Sequence, residues 1–188
     1  MKKFIVLFLL SLAAFPVAAD EEKTDSDKGS YFGAHIMQSK EVVKFADSSK
    51  HTYRGGGIGV MAGKDLAWGF GFEVAWDGRR LYKRNGLNAS YADNYNLTVT
   101  GKYAYEILGF FRPYAGVGIG PSYWITDSGK WNLSYQALAG ISLNLTSVFD
   151  VDFRMIIQDR GRIPDDHVFK TAGDVIETSA RVGILWKY

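Results

Sequence analysis

The stretch WGFGFEVAW, residues 68–76, alternates large apolar side chains with small or charged ones. A period of two residues is typical of a β-strand, because successive side chains point to opposite faces. The face opposite the large residues carries two glycines, Glu73 and Ala75. Whether the bulky face is buried inside the protein or turned outward decides the fold. The residues on that face are Trp68, Phe70, Phe72, Val74 and Trp76.

The first residues of the 188-residue chain have the pattern of a secretory signal peptide. Lys2 and Lys3 precede a short apolar run, and small residues end it just before Asp20, which is the order that signal peptidase recognises. We therefore predict a signal peptide over 1–19, a flexible periplasmic segment over 20–30 and a barrel domain over 31–188.

Charge and composition exclude several classes of protein. Two of the 22 basic residues lie in the signal peptide, which leaves the exported chain balanced against 20 acidic residues. A neutral chain lacks the basic excess of a nucleic-acid-binding protein, so we expect no nucleic-acid partner. The chain has no cysteine, hence no disulfide to stabilise it. It also has no run of 18 apolar residues after the signal peptide, which excludes membrane-spanning helices.

Alternating segments recur along the whole exported chain. Three connections between them are short, near 64–67, 106–112 and 144–147, and four are longer, at about 39–52, 77–93, 124–130 and 159–174. An even number of strands with short turns at one end and longer loops at the other is typical of an outer-membrane barrel. We therefore predict an all-β, eight-stranded antiparallel up-and-down transmembrane β-barrel, with strands at 31–38, 53–63, 68–76, 94–105, 113–123, 131–145, 148–158 and 175–188.

The size of the lumen decides between a soluble and a membrane barrel. The interior of an eight-stranded barrel is just wide enough for its side chains, and the many Trp and Phe residues of this chain would overfill it. We therefore predict that the bulky face contacts lipid and that the small, polar face lines the lumen. Charges inside must then pair with one another. The predicted lumen charge network is Glu73, Lys102, Asp150, Asp152, Arg154, Glu177 and Arg181.

The height of the apolar face agrees with a membrane. Trp68 and Trp76 are eight residues apart, which is about 26 Å along a strand and roughly 20 Å along the membrane normal at a tilt of about 40°. The apolar band of such barrels is about 25 Å tall. Amphipathic rings favour its two edges, and the predicted lipid-interface aromatics are Trp68, Trp76, Trp131, Trp186 and Tyr188.

The final strand carries a family resemblance. Apolar residues alternate from Ala180 to the aromatic terminus Tyr188, and PYAGVGIG stands at 113–120. With the signal peptide, this pattern resembles the small eight-stranded bacterial outer-membrane proteins, which include the opacity-type adhesins, OmpX and the membrane domain of OmpA. The resemblance covers about 31–188, although the usual terminal residue of that group is Phe. It implies the outer membrane as location, contact with its lipid and lipopolysaccharide, and recognition by the barrel-assembly machinery through the C-terminal strand.

Some barrels of this architecture are lipid A enzymes, and these enzymes carry characteristic histidine motifs. A deacylase of this kind carries a His-x-Ser pair, and no histidine here has a serine two positions on. A palmitoyltransferase uses a loop histidine with an Asp-Ser pair, which His51 could imitate with 47–48 or 127–128. Asp-Ser is a common loop dipeptide, so we predict no catalytic residue. The histidines are His35, His51 and His167.

Two further patterns were weighed as cofactor or metal sites. Glycine-rich 54–63 and 116–120 imitate nucleotide-binding loops, but neither lies between a strand and a helix as that motif requires. Asp165, Asp166 and His167 are candidate metal ligands, although adjacent aspartates rarely converge on one ion. We therefore predict neither a cofactor nor a metal.

The second long connection is basic. It holds four cations that, if they face outward, would meet lipopolysaccharide phosphates or an anionic host polymer. We predict an extracellular basic loop formed by Arg79, Arg80, Lys83 and Arg84.

Three functions remain open at this point. The leading hypothesis is a structural or surface-interaction protein, similar to an adhesin or antigen, whose extracellular loops contact a host or surface ligand. The second is a narrow pore or a transport barrel for small or apolar solutes, and the third is a lipid A-modifying enzyme.

Overall fold

The computed structural model describes residues 29–45, 50–85, 88–107, 109–125, 129–163 and 173–188. The predicted signal peptide and nearly all of the predicted periplasmic segment lie outside these ranges. No helix in the described ranges is long and apolar enough to cross a membrane. The strands are β1 Ser30–Phe45, β2 Lys50–Asp65, β3 Phe70–Asn85, β4 Asn88–Ala104, β5 Phe111–Ile125, β6 Lys130–Asn144, β7 Phe149–Ile163 and β8 Gly173–Lys187.

The eight strands form one closed sheet. Each strand pairs antiparallel with the next, and β1 pairs with β8 to complete the ring. The predicted eight-stranded up-and-down barrel is thus confirmed. A row of register partners that starts at Phe32 returns to β1 at Val42, ten residues farther along the strand. This stagger goes with a strand tilt of about 40°.

Side chains alternate between lumen and outer wall as the pattern indicated. On β3, Phe70 and Phe72 are 56% and 42% exposed, whereas Glu73 is 1% exposed. Trp68 is an exception to the predicted strand, because it lies in a short 3-10 turn at Ala67–Gly69 with a φ of 61°. The turn carries Trp68 out of the sheet just before β3 begins, where its side chain is 85% exposed.

The longer connections predicted from the sequence are wrong in extent. Most of 39–52 and 77–93 is strand, so that only residues 46–49 separate β1 from β2 and only 86–87 separate β3 from β4. The physical reason is an exchange of faces at the end of the barrel away from the Ala67–Gly69 turn, which we call the outer end. There the outward side chains, such as Lys40 and Lys44, are mostly polar, while the inward ones, such as Val43 and Leu81, are apolar. The strands continue even though the apolar residues have changed sides.

Two glycines make room for tyrosine rings in the lumen. A Cβ at Gly63 would overlap the hydroxyl of Tyr31, and a Cβ at Gly140 would overlap that of Tyr114. Both glycines face inward on the wall of a narrow barrel, where space is limiting. The two tyrosines they admit support the ion-pair network of the lumen.

Candidate functional site

The lumen is a polar interior held by ion pairs. The seven residues predicted as a lumen network all point inward, and six of them are at most 4% exposed. The seventh, Lys102, has a side chain that is 8% exposed. Buried charges of this kind need partners, because an unpaired charge away from water is costly.

Arg154 on β7 organises the middle of the lumen. Its guanidinium lies 2.5 Å from Glu73 Oε1 and 2.7 Å from Asp152 Oδ2. Tyr31 donates a hydrogen bond of 2.7 Å to Glu73, and Tyr114 donates one of 2.6 Å to Asp152. Glu73 thus accepts hydrogen bonds from both Nη atoms of Arg154, Asp152 accepts one from its Nε, and each carboxylate also accepts one from a tyrosine hydroxyl.

A second group lies nearer the end of the barrel that carries the Ala67–Gly69 turn. Lys102 Nζ donates to the Tyr31 hydroxyl at 2.7 Å and lies 3.4 Å from Asp65, which also pairs with Arg112. These residues line a small recess of about 10 Å³, which is about the space of one water molecule.

Asp150 closes the same end of the lumen. Its Oδ1 atom lies 2.7 Å from Lys187 Nζ, and its Oδ2 atom accepts a hydrogen bond of 3.0 Å from Ser142. Predicted members of the network thus form several local groups rather than one cluster.

Between Arg154 and the outer end, the lumen holds charged residues that the sequence analysis did not place there. Asp77 Oδ1 lies 2.7 Å from His35 Nε2, and its other oxygen accepts a hydrogen bond of 2.8 Å from Arg181. Asp77 lies four residues after Glu73, so parity along β3 already placed it on the inner face. Because the third strand was predicted to end at Trp76, Asp77 fell in a predicted connection and was not counted as a lumen residue.

Farther toward the outer end of the lumen, Glu177 on β8 binds two arginines. Arg79 and Arg160 both pair with it, and Glu41 lies 3.7 Å from Arg160. Arg160 also donates to Asn94, which joins the ion pairs to a group of amide and hydroxyl side chains on β4 and β6. All of these side chains are buried.

The predicted basic loop is therefore corrected. Residues 79–84 belong to β3, and Arg79 is a buried lumen residue because its odd position shares a face with Glu73. Arg80 points outward and forms two hydrogen bonds with Asp93, at 2.8 Å and 2.9 Å. The side chains of Lys83 and Arg84 lie outside the described part of the chain.

An apolar cluster fills the outer mouth of the lumen. We call it the outer plug, and its members all point inward from the outer ends of six strands. Trp124 and Val43 have no exposed surface, and Leu81 is 1% exposed. The plug consists of Val43, Tyr53, Leu81, Ala92, Trp124 and Val175.

The predicted interface aromatics are all exposed, with Trp76, Trp131 and Trp186 on the outer wall and Trp68 and Tyr188 just beyond the ends of strands. Trp76 stacks on Tyr95 with ring centroids 5.8 Å apart, and Phe149 packs on Trp186 at 5.2 Å. The exposed fractions are 85% for Trp68, 41% for Trp76, 66% for Trp131, 55% for Trp186 and 73% for Tyr188.

Catalytic and metal candidates are only partly described. His35 is a lumen residue beside Asp77. The side chain of His51 and all of 47–48, 127–128 and 165–167 lie outside the described residues. Within the described ranges, no group of three or more His, Asp or Glu side chains is placed to hold a metal ion.

Comparisons with known proteins agree with this geometry. Neisserial surface protein A has 15% identity to this chain and a TM-score of 0.63, over 84% of this chain and 97% of its own. Ail of Yersinia pestis, solved with the heparin analogue sucrose octasulfate, has 15% identity and a TM-score of 0.51, over 86% and 99% of the two chains. At such low identity these similarities concern the fold alone.

A search of curated proteins finds no match. Residues 4–185 match the family described as outer membrane protein beta-barrel domain. Nearly the whole chain is covered by this match, and the closed barrel with its exposed apolar wall has the architecture that the match implies. The chain belongs to the outer membrane protein beta-barrel domain family, and it is a bacterial outer-membrane protein.

Proposed function

We propose that this protein is a non-conducting barrel with a structural and surface-interaction role in the outer membrane. The observation that carries the proposal is the filled lumen. Ion pairs occupy its length, and the outer plug occupies its outer mouth. A barrel closed in this way acts through its wall and its outer end.

Charge balance supports a closed lumen. Seven acidic and seven basic side chains form the inward ion pairs of the described residues. A neutral network offers no excess charge to attract ions, unlike the charged rings that line selective channels. An ion would also have to pass the outer plug, whose apolar side chains exclude water.

Single-channel recording tests the proposal. We expect the folded protein in a planar bilayer to show no steady current steps, because both the ion pairs and the outer plug obstruct the lumen. Resistance to SDS without boiling would measure the fraction of the added protein that is folded. Steps of one fixed amplitude that vanish with boiled protein would overturn the proposal and favour a narrow pore.

The surface role requires the 46–49, 86–87, 126–128 and 164–172 connections to face the outside. These segments join the outer ends of the strands, which is where a host or surface ligand and lipopolysaccharide would make contact. The opposite turns would face the periplasm, together with the C-terminal strand β8 that we propose as the contact for the barrel-assembly machinery.

Orientation can be measured because the chain has no cysteine. We expect a maleimide that cannot cross the outer membrane to label Thr52→Cys in intact cells, since Thr52 is exposed near the outer end of β2. Ser147→Cys, in the exposed β6–β7 turn, should be labelled only after the membrane is opened. The reverse pattern would place the connections named above in the periplasm and refute a surface role.

A further inference from the structure

We propose that the outer wall of β1 and β2 binds phosphate groups of lipopolysaccharide in the outer leaflet. The site is a group of four outward cations, which we call the basic wall patch: Lys40, Lys44, Lys50 and Arg54. The inference rests on the outer-membrane location of the barrel and on the orientation proposed above, and it is independent of a host or surface ligand.

The first argument is the register of the two strands. Lys40 lies directly opposite Arg54, and Lys44 lies directly opposite Lys50. Cβ atoms of directly opposed residues are about 4.5–5.5 Å apart, and like charges in this position destabilise a sheet. The strands therefore place two repulsive pairs side by side, which is unfavourable unless an anion lies against them.

The second argument is the shortage of internal counter-ions. All four side chains are exposed, and none forms an ion pair within the described residues. The acid nearest in register is Asp174, which lies opposite Lys44 on β8. Opposite Lys40 on β8 is Thr178, so Asp174 is the one acid facing the patch from the neighbouring described strands.

Arg80 on β3 shows the contrast. It is also an outward cation near the outer end of the barrel, but Asp93 on β4 holds it through two hydrogen bonds. The structure thus neutralises Arg80 internally, whereas the four cations of the basic wall patch face a single acid, Asp174.

The third argument is depth. Lys40 lies eight residues beyond the lipid-facing Phe32 on β1, which is roughly 20 Å along the membrane normal for a tilted strand. That distance brings Lys40 close to the edge of an apolar band of about 25 Å. Arg54 lies in the same row, and its partner on β3 is Tyr82, which is 47% exposed. The patch thus begins where lipid headgroups begin.

Lipid phosphate is the anion that fits this position. Lysine and arginine both bind phosphate strongly, arginine with two parallel hydrogen bonds. Lys44 and Lys50 lie four residues farther out along their strands than Lys40 and Arg54, so the patch extends beyond the headgroup level, where phosphates nearer the sugar core would lie. A soluble polyanion would contact the connections at the barrel end more readily than a wall surrounded by lipid.

The test compares the exported chain with the double variant Lys40→Gln/Arg54→Gln in detergent micelles. The probe is purified lipid A, with and without its phosphates, and bound lipid is counted by native mass spectrometry. We expect phosphorylated lipid A to bind the parent chain and the double variant to bind it about tenfold more weakly or worse, since each cation contributes to attraction by an anionic lipid. Removing the phosphates should weaken binding to the parent chain similarly.

The control is Lys64→Gln, an exposed lysine at the periplasmic end of the same strand. It should leave lipid A binding unchanged. Thermal unfolding gives a second measurement, because lipid A should reverse which of the two proteins, the parent or the double variant, is the more stable. Without lipid A the double variant should be at least as stable as the parent, because repulsion is relieved, whereas with lipid A the parent should be more stable.

Equal binding by the parent and the double variant would overturn the proposal. So would equal binding of lipid A with and without phosphates. Binding of a soluble sulfated oligosaccharide that depends on the patch, with no patch-dependent lipid A binding, would overturn it in favour of a soluble polyanion.

Discussion

Replacing Arg154 by alanine is expected to lower the free energy of unfolding by about 3–5 kcal/mol. The substitution leaves Glu73 and Asp152, both 1% exposed, without the cation that lies between them. Among the described residues, the two carboxylates would then share a buried site with the hydroxyls of Tyr31 and Tyr114 as their remaining hydrogen-bond donors. Urea unfolding in lipid vesicles, followed by tryptophan fluorescence, would measure the change.

Arg80→Ala is the matched control. It removes an arginine of β3 whose side chain is 68% exposed, and exposed ion pairs contribute only about 0–1 kcal/mol. A triple replacement, Glu73→Gln and Asp152→Asn with Arg154→Met, removes all three charges and should recover much of the loss. If Arg154→Ala cost no more than Arg80→Ala, the lumen network would not stabilise the barrel.

Val99→Arg is expected to lower the free energy of unfolding by about 2–4 kcal/mol, the cost of a cation near the bilayer midplane. Val99 is 52% exposed on β4, and its partners on the neighbouring strands are Val74 and Ile119. The new guanidinium would therefore enter hydrocarbon with no acidic partner on either adjacent strand. The same urea titration in vesicles would measure this change in the free energy of unfolding.

The control for depth is Ile125→Arg, at the outer end of β5. Ile125 is 46% exposed and lies opposite Asp93, where an arginine can reach headgroups and water, so we expect about 0–1 kcal/mol. Similar costs at the two positions would mean that the outer wall is not graded by depth and that the predicted lipid contact is wrong.

The number of strands, and which side chains face the lumen and which face outward, could be predicted from residues 68–76 and the other alternating segments. Alternation is a local signal, and the lumen of an eight-stranded barrel is too narrow for all the Trp and Phe side chains of this chain, although it does hold Trp124. Glu73 and Phe72 are adjacent in sequence and lie on opposite sides of the wall, as the period of two requires.

The ends of the strands could not be predicted in the same way. The ends of the strands were predicted from where the apolar residues stop alternating on one face. On β1 the apolar residues move from the outward face at Ile36 to the inward face at Val43. Outside the membrane the solvent is water, so the ordinary arrangement of a soluble protein returns. Arg79 was assigned to a loop for this reason.

The partners in the lumen depend on the stagger of the strands. Glu73 and Arg154 are 81 residues apart, and nothing in either segment indicates that they meet. Parity predicts that both point inward, but the ten-residue offset around the ring determines which pairs lie at one height. A single sequence therefore predicts the members of the network and not its pairs.

The ring is completed by its first and last strands. Every residue from Tyr31 to Phe45 has a partner between Lys187 and Gly173, so this junction can form only when both ends of the domain are present. Until then two strand edges would expose N–H and C=O groups that hydrocarbon cannot satisfy. Opening the junction later meets the same obstacle, and unfolding from lipid should be slow for that reason. A chain without a single disulfide can thus persist in the membrane through the rate at which it opens.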